Sequence, residues 1–301
     1  MGKILVLGSE GLIGKNLTTH LTDLGHSVIE YDIKNPTKTY GDEDLSCKDI
    51  SEPDLQGLMD CVEDADFVYF LAFDVGGATY LKKYEHTTAF ISNNMKIMDN
   101  VFGALTLSNK PFVFASSMMT KIPGSTYGIL KTLGERYAAA LGGLSVRFWN
   151  VYGPEEIDLL GRNHAITDFI QMGLFDKQIL VKTDGSESRQ FIYVDDASRA
   201  LICMMDQYNK IKTELGLLSD SNSRYNCVEV SNGEWVNIKK IAKLIGMETK
   251  KTVNFSSKKD RVQNDLRIDP DIKLITKYGW KPQVTLEEGI DLMVKKYRNN
   301  K

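Results

Sequence analysis

Short apolar runs that stop abruptly at small or acidic residues alternate with longer stretches of helical spacing through the first half of the chain. Residues 4–7 are continuously apolar and end at Gly8, as expected of a parallel strand covered on both faces. Leu12, Ile13, Leu17, Leu21 and Leu24 then recur on one helical face, and Gly25 closes the segment as a C-cap. Residues 27–31 form the next strand, which ends at Asp32, and residues 67–71, 112–115 and 144–148 are three more. Helices are expected around 87–105 and 127–141. Strands alternating with helices predict an α/β fold, a Rossmann-type doubly wound parallel sheet.

Beyond Asn150 the pattern changes. Gly153-Pro154 marks a loop, and shorter, more polar elements follow. Residues 194–208 read as a helix, and 189–210 are expected to return to the first unit. A strand at 225–230 and helices at 236–245 and 286–297 are grouped into a smaller C-terminal α/β lobe. The expected division is therefore a cofactor-binding domain over 1–150 and a substrate-binding lobe over 151–188 and 211–301. The absence of repeats and low-complexity linkers predicts packed lobes, not tethered ones.

Composition narrows the function classes. The chain has 301 residues, 42% hydrophobic and 26% charged, which is ordinary for a globular protein with a core. A net charge of −3 and a pI near 5.9 give no basic field for nucleic acid. Cys47, Cys61, Cys203 and Cys227 lack C-x-x-C or zinc spacing, so no metal is expected and a reducing compartment is. The apolar start is too short for a signal peptide, and no stretch approaches a membrane span. The expectation is a cytoplasmic protein.

Gly8-Ser-Glu-Gly11-Leu12-Ile13-Gly14 follows a strand and opens a helix. Glycines there let the backbone turn tightly and approach a pyrophosphate, whose charge meets the helix N-terminus. Asp32, at the end of the second strand, is placed to accept from an adenosine ribose and to repel a 2′-phosphate, which favours NAD. Tyr127 and Lys131 lie four apart on one helical face. A nearby ammonium favours a phenolate and so draws tyrosine toward the range of a general base. Ser117, at the carboxyl end of a strand, could donate to a developing alkoxide or ketone oxygen. His164, at a helix start, could cap the helix or face substrate. Arg189, Arg261 and Arg267 could hold phosphate.

Taken in order, these segments resemble the extended short-chain dehydrogenase/reductase superfamily, in its nucleotide-sugar epimerase/dehydratase branch. The likeness covers nearly the whole chain. It takes in the glycine loop, Asp49-Ile50, Leu71-Ala72, Asn94 to Ile97 with Asn100-Val101, Ser116-Ser117, Tyr127 and Lys131. It continues through Arg147 to Pro154, Asp184-Gly185, Arg189 to Asp196, and Tyr278-Gly-Trp-Lys-Pro282. The resemblance implies that Asp49, Ile50, Leu71 and Ala72 join the glycine loop and Asp32 in holding NAD. It implies that Lys131 holds the nicotinamide ribose, and that Asn150, Arg189 and Arg261 or Arg267 contact the diphosphate of a nucleotide-sugar. It also implies a homodimer built on the helices at 87–105 and 127–141.

Departures from the family direct the finer reading. Dehydratases of this branch follow the catalytic Ser or Thr with Asp-Glu, and fucose-synthase-type enzymes carry a cysteine two residues after it. Here Met118 and Met119 stand in those places. Asp74-Val75-Gly76-Gly77 and His164 nevertheless look like the fucose-synthase type. Only ten positions separate Ser117 from Tyr127, where the family has about two dozen residues. The expected activity is NAD-dependent C4 epimerisation of a nucleotide-sugar through a transient 4-keto sugar. The alternatives are a 4-reductase or dehydratase of the same family, or an NAD-binding regulatory protein without catalysis.

Overall fold

Parallel pairing hides both faces of a strand, and that is why the apolar runs become strands: Leu5, Val6 and Leu7 of β1 (Lys3–Leu7) have no exposed surface. The computed structural model describes residues 1–33, 50, 55–156, 162–216, 227–258 and 268–299. After β1 come α1 (Leu12–Asp23), β2 (Ser27–Tyr31), α2 (Leu55–Asp64) and β3 (Phe67–Phe70). Two helices, α3 (Ala78–Tyr84) and α4 (Thr88–Ser108), lead to β4 (Phe112–Ser117). A single 3-10 turn, Met118–Lys121, then precedes α5 (Thr126–Ala140) and β5 (Leu144–Phe148).

The chain next leaves the first sheet through β6 (Asn150–Tyr152), α6 (Ala165–Phe175), β7 (Gln178–Val181) and β8 (Ser188–Tyr193). It returns along α7 (Val194–Asp206) and α8 (Tyr208–Glu214) to β9 (Cys227–Val230). The remaining elements are β10 (Trp235–Asn237), α9 (Ile238–Thr249), β11 (Thr252–Phe255), α10 (Lys273–Lys277) and α11 (Leu286–Asn299).

Among the described residues the large sheet has six strands in the order β2-β1-β3-β4-β5-β9, every pair parallel. The doubly wound α/β expectation is borne out. Alternation divides the core by face. Leu5, Leu7, Val68 and Phe70 pack under α4 and α5, while Ile4, Val6, Phe67 and Tyr69 pack with α1 and α7. The second of these clusters runs on without a break into the small sheets β10-β8-β6 and β11-β7 and their helices. No described helix is long and apolar enough to cross a membrane.

Several elements differ from the sequence reading. Residues 227–230, grouped above with the smaller lobe, form the edge of the large sheet beside β5. Their pairing partner lies far back in the chain, so the local pattern could not assign them. The helix expected over 194–208 breaks at Gln207 and resumes as α8. The strand character of 188–193 was not anticipated. It forms the centre of the three-stranded sheet, between β10 and β6.

Candidate active site

The order of the sheet reverses between β1 and β3, and a crevice outside the carboxyl ends of strands at such a point is where open α/β sheets bind ligands. The loops that leave β1 and β3 meet there. Gly8 has φ +90°, and a Cβ on it would lie 2.7 Å from the Ala72 backbone nitrogen. Leu71 N–H donates to the Leu7 carbonyl at 2.9 Å. At Gly14 a Cβ would come within 2.0 Å of the Gly8 carbonyl oxygen, so helix and loop touch only because it is glycine. Gly11 is different: its Cβ would meet one neighbour, at 3.4 Å, which leaves room for another molecule.

Gly11 is also the N-cap of α1 and offers no side-chain acceptor, so the first-turn N–H groups of Leu12 and Ile13 stand at an anion-binding helix end. Asp32 is buried at the end of β2, and its Oδ2 accepts from Glu10 N–H at 3.0 Å, tying it to the same loop. Ile50 is buried and its carbonyl accepts from Asn100. This loop and helix end fit a dinucleotide. Asp49 lies outside the described residues.

The second half of the site is built on α5. Ser125 caps the helix by accepting from Gly128 N–H at 3.0 Å, and Glu85 accepts from Ser125 Oγ at 2.9 Å and from Tyr127 N–H at 3.1 Å. A carboxylate at this end also suits the helix dipole. The short link from Ser117 closes because Gly128 has no side chain: a Cβ there would lie 2.2 Å from the Met119 carbonyl oxygen. Ser117 Oγ accepts from Met119 N–H at 3.2 Å and lies near enough to the Tyr127 hydroxyl to lower its pKa. Ser117, Tyr127 and Lys131 therefore converge at the end of β4.

Their electrostatics differ from the sequence expectation. Burial pushes the Tyr127 phenol well up, and the nearby Ser117 hydroxyl opposes this. Burial likewise pushes the Lys131 ammonium well down, with Glu135 acting against it. Lys131 Nζ donates to the Ala115 carbonyl at 2.7 Å and sits 5.7 Å from the Tyr127 ring centroid. The expected depression of the tyrosine pKa by lysine is thus corrected: in this geometry desolvation sets the direction.

Other candidates are placed less centrally. Asn150 on β6 donates to the Gln190 carbonyl at 2.8 Å, and Arg189 on β8 donates to the Ser188 carbonyl at 2.7 Å, so each is tied to backbone. Arg261 and Arg267 lie outside the described residues. His164 caps α6 and its Nδ1 lies 3.0 Å from Glu155 Oε2. Burial, the largest single effect, lowers its pKa, but the hydrogen bond and charge of Glu155 with the charge of Asp168 together outweigh it, and the net direction is upward. His164 is linked to the site through the loop after β3, because Gly77 N–H donates to the Arg162 carbonyl at 2.7 Å.

Glu135, Phe73 and the partners of Asp74 are not signalled by the sequence motifs. Glu135 continues the Tyr127–Lys131 stripe by one more turn. It receives Arg147 in a bidentate pair at 2.7 and 2.6 Å and Ser116 Oγ at 2.5 Å. Extending the four-residue spacing would have found it. Asp74, Tyr80 and Arg162 clasp the loop after β3 to the smaller lobe, with Tyr80 Oη donating to Asp74 at 2.7 Å. Phe73 touches both Tyr127 and Lys131, and nothing in the local pattern signals it.

A glycine-looped doubly wound sheet with Ser, Tyr and Lys gathered at one strand end defines a dinucleotide-binding, short-chain dehydrogenase/reductase type of protein. The chain matches the NAD dependent epimerase/dehydratase family over residues 4–216, and it belongs to that family. It is accordingly an NAD-dependent enzyme. A probable GDP-L-fucose synthase of Oryza sativa is 26% identical, covering 99% of this chain and 93% of that protein. A UDP-N-acetyl-alpha-D-glucosaminuronate decarboxylase of Bacillus cytotoxicus is 30% identical over 68% of this chain and 71% of its own length. Among solved structures, the UDP-glucose 4-epimerase of Thermotoga maritima superposes with a TM-score of 0.76 at 22% identity, covering 99% of both chains.

Proposed function

We propose that the protein is a nucleotide-sugar C4 epimerase that oxidises one carbinol transiently and reduces it again. The observation that carries the reading is the gathering of Ser117, Tyr127 and Lys131 at the carboxyl end of β4, followed by Met118 and Met119 in place of proton-carrying residues. Gly8, Gly11, Leu12, Ile13, Gly14, Asp32, Ile50, Leu71 and Ala72 would hold the cofactor, with Lys131 at its ribose. NAD when bound supplies the hydride acceptor and, oxidised, a positive charge beside the phenol. Burial favours the protonated phenol of Tyr127; a cation beside it would favour loss of that proton to solvent, and the phenolate so formed can accept the proton of the sugar hydroxyl. Ser117 orients that hydroxyl. Asn150, Arg189 and His164 line the substrate side, so cofactor and sugar are divided between the sheet and the smaller lobe. Exposed Met95, Leu107, Ile129 and Tyr137 on α4 and α5 support a homodimer through these helices.

Labelling tests the chemistry. An epimerase returns the same hydride to the same carbon, so substrate deuterated at C4 should retain its deuterium and gain none from solvent. His164, held toward its charged form by Glu155, favours one second reading, a 3,5-epimerase/4-reductase. Solvent deuterium at both C3 and C5 of the product would select that reading and sink the C4 epimerase.

A further inference from the structure

Lys131 is a buried cation whose nearest carboxylate is already engaged. Its side chain is almost wholly shielded, and Glu135, one turn along α5, is occupied by the bidentate Arg147 and by Ser116. On the far side, Glu229 of β9 is shared between Arg147 and Lys121, and the Cys227 thiol also faces Glu135. The cations Arg147 and Lys121 balance the two carboxylates of this cluster, which leaves Lys131 the surplus charge. What remains around its ammonium is the Ala115 carbonyl, the Phe114 ring at 4.8 Å and the Phe73 ring at 3.6 Å. Tyr127, on the same helix, is the other titratable group facing it.

Phe73 is the third corner of a triangle. Its ring lies face-on to Lys131 Nζ and, 5.7 Å between centroids at 71°, edge-on to the Tyr127 ring. The loop that carries it is pinned by fully buried Asn94, which accepts from Asp74 N–H at 2.8 Å and donates to the Asp74 carbonyl at 3.1 Å. The ring therefore stands on a fixed support. An aromatic face attracts a cation electrostatically, and does so more strongly in a site without water.

We propose that Phe73 is a positioning residue that holds the Lys131 ammonium against the Ala115 carbonyl by offering its ring face, and so sets the geometry between Lys131 and Tyr127. This rests on the reading of Lys131 and Tyr127 as the working pair. The same contact opposes the loss of charge that burial imposes on Lys131. Leucine at this position keeps apolar bulk but has no quadrupole, so it separates the two effects.

The test uses the whole unliganded protein with lysines labelled at the 13Cε position, titrated by NMR. The Lys131 resonance is assigned by its loss in Lys131→Met. Phe73→Leu should lower the Lys131 midpoint by about one pKa unit, a roughly tenfold change in its protonation constant, and Phe73→Tyr should restore it. Phe73→Met serves as a second ring removal should the leucine variant fail to fold. A Lys131 midpoint unchanged on removal of the ring, or charge retained throughout in every variant, overturns the proposal. No substrate is used, so failure of the epimerase assignment would show in the labelling experiment and not here.

Discussion

Tyr127 combines a buried ring with a hydroxyl near Ser117, and this decides what its removal should do. Tyr127→Phe keeps the ring and its contact with Phe73 while deleting the ionisable oxygen. Turnover is expected to fall ~10²–10⁴-fold, as for loss of a general base, with NAD affinity by calorimetry unchanged. Near-wild-type turnover would remove Tyr127 from the mechanism. His164 offers a second test at this scale. Glu155 raises its pKa and is itself lowered, mainly by His164 working against burial. For the histidine, the folded value lies above the unfolded one of about 6.5, so its stabilisation is complete below that pH and is lost as pH rises through the raised value. For the glutamate, stabilisation is present above its unfolded pKa and lost as pH falls through the lowered one. Glu155→Gln should therefore move the His164 ring titration, followed by proton NMR, to lower pH. An unmoved midpoint would dissolve the pairing.

At the scale of elements, the join between the 3-10 turn and α5 carries the most weight for the site. A Gly→Ala change in an open helix stabilises by about 1 kcal/mol, since glycine is the more flexible residue. Gly128→Ala should do the reverse, because its methyl would strike the Met119 carbonyl. Overpacking of this kind costs about 1–3 kcal/mol. The expected outcome is a lower melting temperature by calorimetry together with reduced turnover, since the turn that moves begins at Ser117. A higher melting temperature would show that the short connection does not depend on this contact. The same turn is anchored at its other end by Lys121 on Glu229, which links it through Arg147 to α5. Residues around the site are thus held from β4, β5, β9 and α5 at once.

For the whole molecule, one core crosses from the large sheet into the smaller lobe, and the loop after β3 adds a polar clasp through Asp74 and Arg162. Outward-facing Met95 and Leu107 on α4 and Ile129 and Tyr137 on α5 place apolar side chains on the helices that cover one face of the sheet. Such residues on adjacent helices match an isologous helical interface. Light scattering at micromolar concentration should report a dimer, and Ile129→Glu should yield a folded monomer. A monomeric wild-type protein would count against the pairing.

Local sequence carried the information that depends on local physics. The apolar runs at β1, β3, β4 and β5 announced buried parallel strands, and the glycine pattern announced a strand–turn–helix, in which the structure leaves room at Gly11. Tyr127 and Lys131 were legible as a pair because helical spacing is a short-range constraint. The tertiary structure decided what depends on distant partners. Residues 227–230 joined the large sheet because only assembly brings β9 beside β5. Phe73 reached Lys131 because β3 lies beside β4 in the sheet, which sets the loop after β3 next to the end of β4, and a buried asparagine pins that loop. The electrostatics of the site also belong to that level: burial, which no spacing records, moves Tyr127 up against Ser117 and Lys131 down against Glu135.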